Sequence, residues 1–414
     1  MSAAPDVVLV TVDCWRHDAV ERMDSLRALT GAYVRTDAIC PSAATPGVFP
    51  AIFASQYYPQ VYTASGAVDP SVKTLPAVLG DHGYRTGAIV ADNPFLDRFA
   101  DAFDHFWNGP HGGESTVAKV ARLARQRDTA PVTEVARRSE EWFTATEAPR
   151  FLFVHLMDPH EPYLPGLRRG LSEGMIDSYR ILRKFARDRR SLSEDETRTV
   201  ENLYWHCIDY LDDHVGDLLS FVPDDAVVAM LGDHGEEFAH GAYRHARLYD
   251  ECVRVPLLTR NLSGVTADAA ARQLDLAPTV LDELGIDVPD AWEGRPAAGD
   301  PRPSFMLNHS PHLGASYVGR RTSDAKLVRT YEGSIDDSVT TEFFDLEADP
   351  RETENLHGTG DRRSEVREFE RAVDGFLDRP EVRGGIRRGT EPETEEVTGT
   401  DEHVEERLEA LGYR

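Results

Sequence analysis

Val7-Val8-Leu9-Val10-Thr11-Val12 is an unbroken run of apolar and β-branched residues that stops at Asp13. Three further runs repeat the pattern: Ala88-Ile89-Val90-Ala91 stops at Asp92, Phe151 to Met157 stops at Asp158, and Ala226 to Gly232 stops at Asp233. Continuous apolar strands of this kind are buried on both faces, as in a parallel sheet covered by helices. Helical spacing lies between them, for example from Glu196 to Phe221 with Leu203, Cys207, Leu211 and Leu218 on one stripe. The alternation predicts an α/β fold: a doubly wound, mostly parallel sheet flanked by helices. Ligands of such sheets bind outside the carboxyl ends of the strands, so the acids gathered there point to one site.

Further along, short alternating runs (Tyr317-Val318-Gly319, Lys326 to Thr330, Glu342 to Leu346) predict a smaller C-terminal antiparallel subdomain. The expected organisation is a catalytic domain over 1–300, a small α+β subdomain over 301–383, and a linker with a terminal helix over 384–414. The basic stretch at 166–193 reads as a solvated helix balancing nearby acids, or as a lid that attracts an anion.

The chain has 414 residues, 41% hydrophobic and 28% charged, with a formal net charge of −27. Of its 45 basic residues only four are lysines (Lys73, Lys119, Lys184, Lys326). Acid excess with arginine in place of lysine reads as adaptation to molar salt, where the Debye length falls to about 3 Å. The same charge disfavours nucleic acid as a partner. No apolar run reaches the roughly 18–20 residues of a membrane span. Met1 to Pro5 leads into the first run without a basic region, so the expected compartment is the cytoplasm. Cys14, Cys40, Cys207 and Cys252 form no CxxC pair and read as reduced thiols.

The segment richest in chemistry is Leu231-Gly232-Asp233-His234-Gly235-Glu236-Glu237, followed by His240 and His245. A carboxylate beside an imidazole, at a strand end and before a glycine turn, suits a divalent cation; an Asp-His pair capping a turn is the alternative. Asp13 ends the first strand, where it is a second ligand candidate or a helix cap. Arg16 is a candidate for an anionic group, or a salt-bridge partner. His155, inside a strand, reads as a satisfied core residue.

These segments come in order with Pro41-Ser42-Ala43-Ala44-Thr45-Pro46-Gly47, with Met157-Asp158-Pro159-His160-Glu161-Pro162 and with His245 to Glu251. Later landmarks are Asp275-Leu276-Ala277-Pro278-Thr279 and Phe344-Asp345-Leu346. Over about residues 5–350 the set resembles the sulfatase family of the alkaline phosphatase superfamily. The resemblance implies that Asp13, Asp233 and His234 bind a divalent metal, one ion rather than two, and that Mg²⁺, Mn²⁺, Ca²⁺ or Zn²⁺ would be accepted. It implies that Thr45 is the nucleophile and also touches the metal, and that His160 and His245 contact the ester or protonate the leaving oxygen.

The chain departs from the family's pattern in three places. No Cys-x-Pro-x-Arg sequence begins at Cys40 or Thr45, and threonine cannot become formylglycine, which favours direct attack by the hydroxyl. Cys14 stands where many members have a second aspartate, and His245 where many have lysine. The expected activity is hydrolysis of a sulfate or phosphate ester of a small molecule, glycan or lipid. A phospho-transferase acting on glycans or lipids and a non-catalytic anion-binding member are the alternatives. Oligomeric state is not set by the sequence.

Overall fold

The computed structural model describes residues 4–29, 32–109, 129–164, 175–187, 189–240, 244–311, 313–332 and 338–384. The expected linker and terminal helix, from 385 onward, lie outside the described residues, as do Arg168 and Arg169 of the basic stretch. Eight strands form the main sheet: β1 (Val7–Val12), β2 (Val34–Ile39), β3 (Arg85–Val90), β4 (His105–Asn108), β5 (Arg150–Leu156), β6 (Val227–Gly232), β7 (Arg254–Arg260) and β8 (Ala271–Arg272). Their order is β4-β3-β5-β1-β6-β7-β2-β8. Strands β4, β3, β5, β1 and β6 are parallel neighbours, and β7 runs antiparallel to both β6 and β2. The expected mostly parallel sheet is present, with β1 at its centre.

Alternation along the strands divides the core in two. Val7 and Leu9 of β1, Phe151 and Phe153 of β5, and Val227 and Ala229 of β6 pack with Val48, Phe49, Ile52 and Phe53 of the helix Thr45–Ala54. Val8, Val10 and Val12, with Leu152, Val154, Val228 and Met230, pack instead with Leu203, Cys207, Leu211 and Leu218 of the helix Glu194–Leu219. That helix starts two residues before the expected Glu196, because Ser193 and Glu196 form a capping box. The helix Thr45–Ala54 is apolar nearly all round and carries Pro46 and Pro50, so it has no stripe to detect; it is buried along its whole length. None of the described helices is long and apolar enough to cross a membrane.

A second sheet, β12-β11-β10-β9, is antiparallel and consists of β9 (Ser304–Ser310), β10 (Ala315–Arg321), β11 (Ala325–Glu332) and β12 (Ser338–Asp345). The helix Arg363–Leu377 covers it with Val366, Phe369, Val373 and Phe376. Strand β9 grips the segment leading to Thr45: Leu307 N donates to Pro41 O at 2.8 Å and Ser42 Oγ donates to Asn308 Oδ1 at 2.8 Å. Gly47 lies so close to Ser42 that any Cβ there would collide with its side chain.

A buried ion cluster joins the two sheets. Asp250 accepts from Arg321 at 2.7 and 3.0 Å and from Lys326 Nζ at 2.7 Å, while Lys326 also pairs with Glu352. Lys326 is fully buried, and burial pushes the Glu352 carboxyl up to about 7 despite Lys326. Removing the ammonium leaves Glu352 without its counter-charge in a dry interior and Asp250 with Arg321 alone. Lys326→Met is therefore expected to lower unfolding stability by about 3–5 kcal/mol in urea titrations; a change below 1 kcal/mol would show the cluster to be energetically idle.

Candidate active site

The parallel register brings the strand-end residues into one row. Val12 of β1 lies opposite Leu156 of β5 and Gly232 of β6, so Asp13 and Asp233 emerge side by side. Their backbones are tied in as well: Asp13 N donates to Leu156 O at 2.8 Å and Asp233 N to Val12 O at 3.1 Å. Thr45 reaches the same point as the first residue of its helix. Its Oγ1 lies 3.1 Å from Asp233 Oδ2, 3.4 Å from Asp13 Oδ2 and 3.3 Å from His234 Nε2. All four side chains are fully buried.

His234 is oriented from behind. Its Nδ1 faces Gly235 O at 2.9 Å, which places the proton on Nδ1 and turns the Nε2 lone pair toward Asp13 (3.7 Å) and Asp233 (3.6 Å). Gly235 makes this turn possible, because a Cβ there would strike the carbonyl of Glu251. His160, 3% exposed, likewise turns Nδ1 to Glu161 O at 2.5 Å. The His245 ring lies 4.2 Å from that of His234 and 5.7 Å from that of His160. The six expected residues Asp13, Thr45, His160, Asp233, His234 and His245 thus gather in one cluster.

Arg16 is engaged elsewhere. Its guanidinium grips Asp18 at 2.7 and 2.9 Å, Glu251 at 2.9 Å and Glu236 O at 3.2 Å. Every guanidinium nitrogen has a protein acceptor, so the salt-bridge reading describes this residue. Asp158 also turns away, toward Val132 N at 3.4 Å at the start of the helix Val132–Ala145. Within the basic stretch, Lys184 pairs with Glu196 at 2.5 Å, which agrees with a solvated helix, whereas Arg189 pairs with Glu161 at 3.4 Å beside His160.

Three neighbours were not singled out as site residues from the sequence. His155 bridges Thr11 Oγ1 (2.8 Å) and Asn93 Nδ2 (3.1 Å), and its Nε2 lies 3.5 Å from Asp13. Asn93 also directs Nδ2 at Asp13 from 3.4 Å. Cys14 Sγ lies 3.1 Å from Asp13 Oδ1 and 3.5 Å from His245 Nδ1. The termination of β3 at Asp92 was the one signal toward Asn93; β3 lies beside β5, a neighbour relation that sequence order does not reveal.

The cluster is short of positive charge. Burial would raise the Asp13 carboxyl, but His160, His155 and His234 hold it well below the usual range. Asp233 goes the other way, pushed well up by burial and then by the anionic Asp13. Burial lowers His234 and His245, against the opposing pull of Asp13 on the first and Glu236 on the second. Two buried carboxyls, a hydroxyl and an oriented imidazole form a donor set suited to a divalent cation. Consistent with this, Asp13, His155 and Asp233 place ligand atoms within 4.8 Å of one another.

A doubly wound sheet with this row of groups at its carboxyl edge defines an α/β protein with a ligand site at its strand ends. The chain belongs to the Sulfatase family, whose sequence profile matches residues 5–286. An N-acetylglucosamine-6-O-sulfatase of Bacteroides thetaiotaomicron is 28% identical over 183 residues, 38% of this chain and 32% of that protein. A choline-sulfatase of Rhizobium meliloti is 25% identical over 274 residues, 58% of this chain and 51% of that protein. The chain thus spans about a third to a half of the length of these curated relatives. Among solved structures, a protein in complex with its substrate D-glucosamine-2-N,6-O-disulfate superposes with a TM-score of 0.71 at 15% identity, covering 94% of this chain and all of that one. The phosphonate monoester hydrolase of Agrobacterium radiobacter gives a TM-score of 0.67 at 15% identity, over 90% of this chain and 95% of that one. At such identity these two establish the shared fold.

Proposed function

We propose that this chain is a metal-dependent hydrolase of sulfate or phosphate esters with Thr45 as its nucleophile. The observation that carries the reading is the contact of Thr45 Oγ1 with Asp233, Asp13 and His234 inside a fully buried cluster. Asp13, Asp233, His234 and Thr45 would hold one divalent cation, which would acidify the hydroxyl and neutralise charge on the non-bridging oxygens. Thr45 Oγ1 gives its proton to Asp233 or Asp13, the carboxylates it contacts, and attacks sulfur or phosphorus as the bond to the leaving alcohol breaks. His160 or His245 gives that oxygen a proton, a task suited to an imidazole. Water then displaces the group from Thr45. His155 and Asn93 hold Asp13 in place from behind. The names of the relatives support a sulfated sugar or small sulfate ester as substrate, whereas unmodified threonine supports a phosphate ester.

Aryl sulfates, phosphate monoesters and phosphodiesters, each tried with Mg²⁺, Mn²⁺, Ca²⁺ and Zn²⁺, form the direct test. Turnover of at least one class, lost on chelation and restored by metal, is the expected result. Metal-independent turnover, or none across the panel with a metal-loaded chain, would reject it. Faster reaction with an added alcohol than with water would identify a transferase. The acidic, lysine-poor composition supports a further expectation: activity and melting temperature rise from dilute buffer to molar salt. Full activity in dilute buffer would remove the halophilic reading.

A further inference from the structure

The donor set described so far is made of oxygen and nitrogen, yet a sulfur lies beside it. Cys14 Sγ is 3.1 Å from Asp13 Oδ1 and 3.5 Å from His245 Nδ1. Cys14 is common to two sets of side chains whose ligand atoms lie within 4.8 Å of one another, Asp13-Cys14-His160 and Cys14-His234-His245. In a tetrahedral centre with a metal–sulfur bond of about 2.3 Å and metal–nitrogen or –oxygen bonds of about 2.0–2.1 Å, neighbouring ligand atoms stand about 3.3–3.6 Å apart. The His245 contact matches that spacing, and the Asp13 contact, where the thiol now donates to the carboxylate, is shorter by a few tenths of an ångström. The backbone is arranged for it too: Cys14 has φ 57°, left-handed for a residue with a Cβ, and Tyr204 Oη fixes its carbonyl at 2.9 Å.

A second observation calls for a cation at the same place. Glu236 is fully buried, its Oε2 lies 3.5 Å from His245 Nδ1, and among the described residues its carboxylate faces only the neutral Tyr163 hydroxyl besides that imidazole, with no arginine or lysine on it. With Asp13 and Asp233 it makes a third buried acid around the sulfur. Their side-chain neighbours are histidine, threonine, asparagine, tyrosine and cysteine groups.

The geometry points to Cys14 as a thiolate ligand of the metal centre, which makes the centre selective for a borderline-soft cation of the zinc class over Mg²⁺ and Ca²⁺. Binding exchanges the thiol proton for the metal–sulfur bond, and the proton leaves to solvent. Thr45 Oγ1, 3.4 Å from Asp13 Oδ2, would remain beside a centre held by sulfur, carboxylate and imidazole donors. The inference rests on the metal-dependent reading above and narrows its choice of ion.

Zinc-edge X-ray absorption on the zinc-loaded full chain tests it without any variant. The expected spectrum has one sulfur at about 2.3 Å beside nitrogen and oxygen at about 2.0–2.1 Å. In Cys14→Ser the sulfur shell disappears and the preference for zinc over magnesium falls at least about 10-fold. Cys40→Ser keeps both; its thiol donates to Asp233 O at 3.1 Å and is the nearby sulfur that must be separated from Cys14. A nitrogen-and-oxygen shell alone in the wild-type chain, or a sulfur shell that survives in Cys14→Ser, overturns the assignment while leaving ester hydrolysis intact. A chain that takes up no stoichiometric divalent ion overturns both readings together.

Discussion

Thr45→Ala is expected to lower kcat/KM by about 10³- to 10⁶-fold, the range in which loss of a nucleophile acting with its partners falls. At about 1.36 kcal/mol per tenfold, that is about 4–8 kcal/mol of transition-state stabilisation. The size follows from the position of one atom. Oγ1 touches Asp13, Asp233 and His234 at 3.1–3.4 Å, so deleting it removes the attacking group and a metal contact together. The rest of the cluster stays, and substrate affinity should change little; the loss should fall on kcat. Thr45→Ser, which keeps the hydroxyl, should retain activity within about 10-fold of wild type. Steady-state kinetics on the best substrate of the panel, with thermal unfolding as a folding check, decides the matter. Full activity in a folded Thr45→Ala chain would place the nucleophile elsewhere.

How much of this was legible beforehand differs from element to element. Strand β1 was read to the residue, because a strand buried on both faces carries its signal in every position. β2 was missed for the converse reason: Val34, Arg35, Thr36 and Asp37 are polar or exposed on a strand near the sheet edge. β4 spans only four residues, too few for a period to show. At the site, Asp13 and Asp233 were readable because each terminates an apolar run, whereas Thr45 entered through family resemblance alone. Its helix is buried all round and breaks the usual pattern with two prolines. His155 and Asn93 were placed outside the site because their roles come from strand neighbours, while Cys14 was noted only as a departure from the family's second aspartate. The register of β5 against β1 and β3 sets His155 beside Thr11 and near Asn93, and only the folded sheet contains that information. Arg16 carried two readings, an anion contact or a salt bridge, and only the folded chain shows Asp18 and Glu251 beside its guanidinium.

Asp233→Asn is expected to abolish stoichiometric metal binding, weakening affinity by more than about 100-fold, and to change the pH dependence of stability in a predictable direction. The substitution keeps the shape of the side chain and removes the charge that a cation needs. With metal at 100 times its dissociation constant, the wild-type chain gains about 2.7 kcal/mol of unfolding free energy; the variant should gain close to nothing. The metal-free chains separate the two carboxyls further. Burial and the anionic Asp13 push Asp233 well above its ordinary value. The native state therefore binds a proton that the unfolded state has released above the usual aspartate range, so Asp233 makes stability fall as pH rises, by at most about 1.4 kcal/mol per pH unit. Asp13 is held low by its histidines despite burial, and its contribution is present at neutral pH and lost toward acid. Chelated wild-type protein should thus lose stability from mildly acidic toward neutral pH. Chelated Asp233→Asn should lack that decline, and it should equal or exceed wild type near pH 7. Metal-loaded wild type should lack the decline too, because the cation replaces the proton. Urea titrations at several pH values, with and without chelator, read all three curves. A variant that still binds metal stoichiometrically, or a chelated wild type indifferent to pH over that interval, would remove Asp233 from the proposed centre.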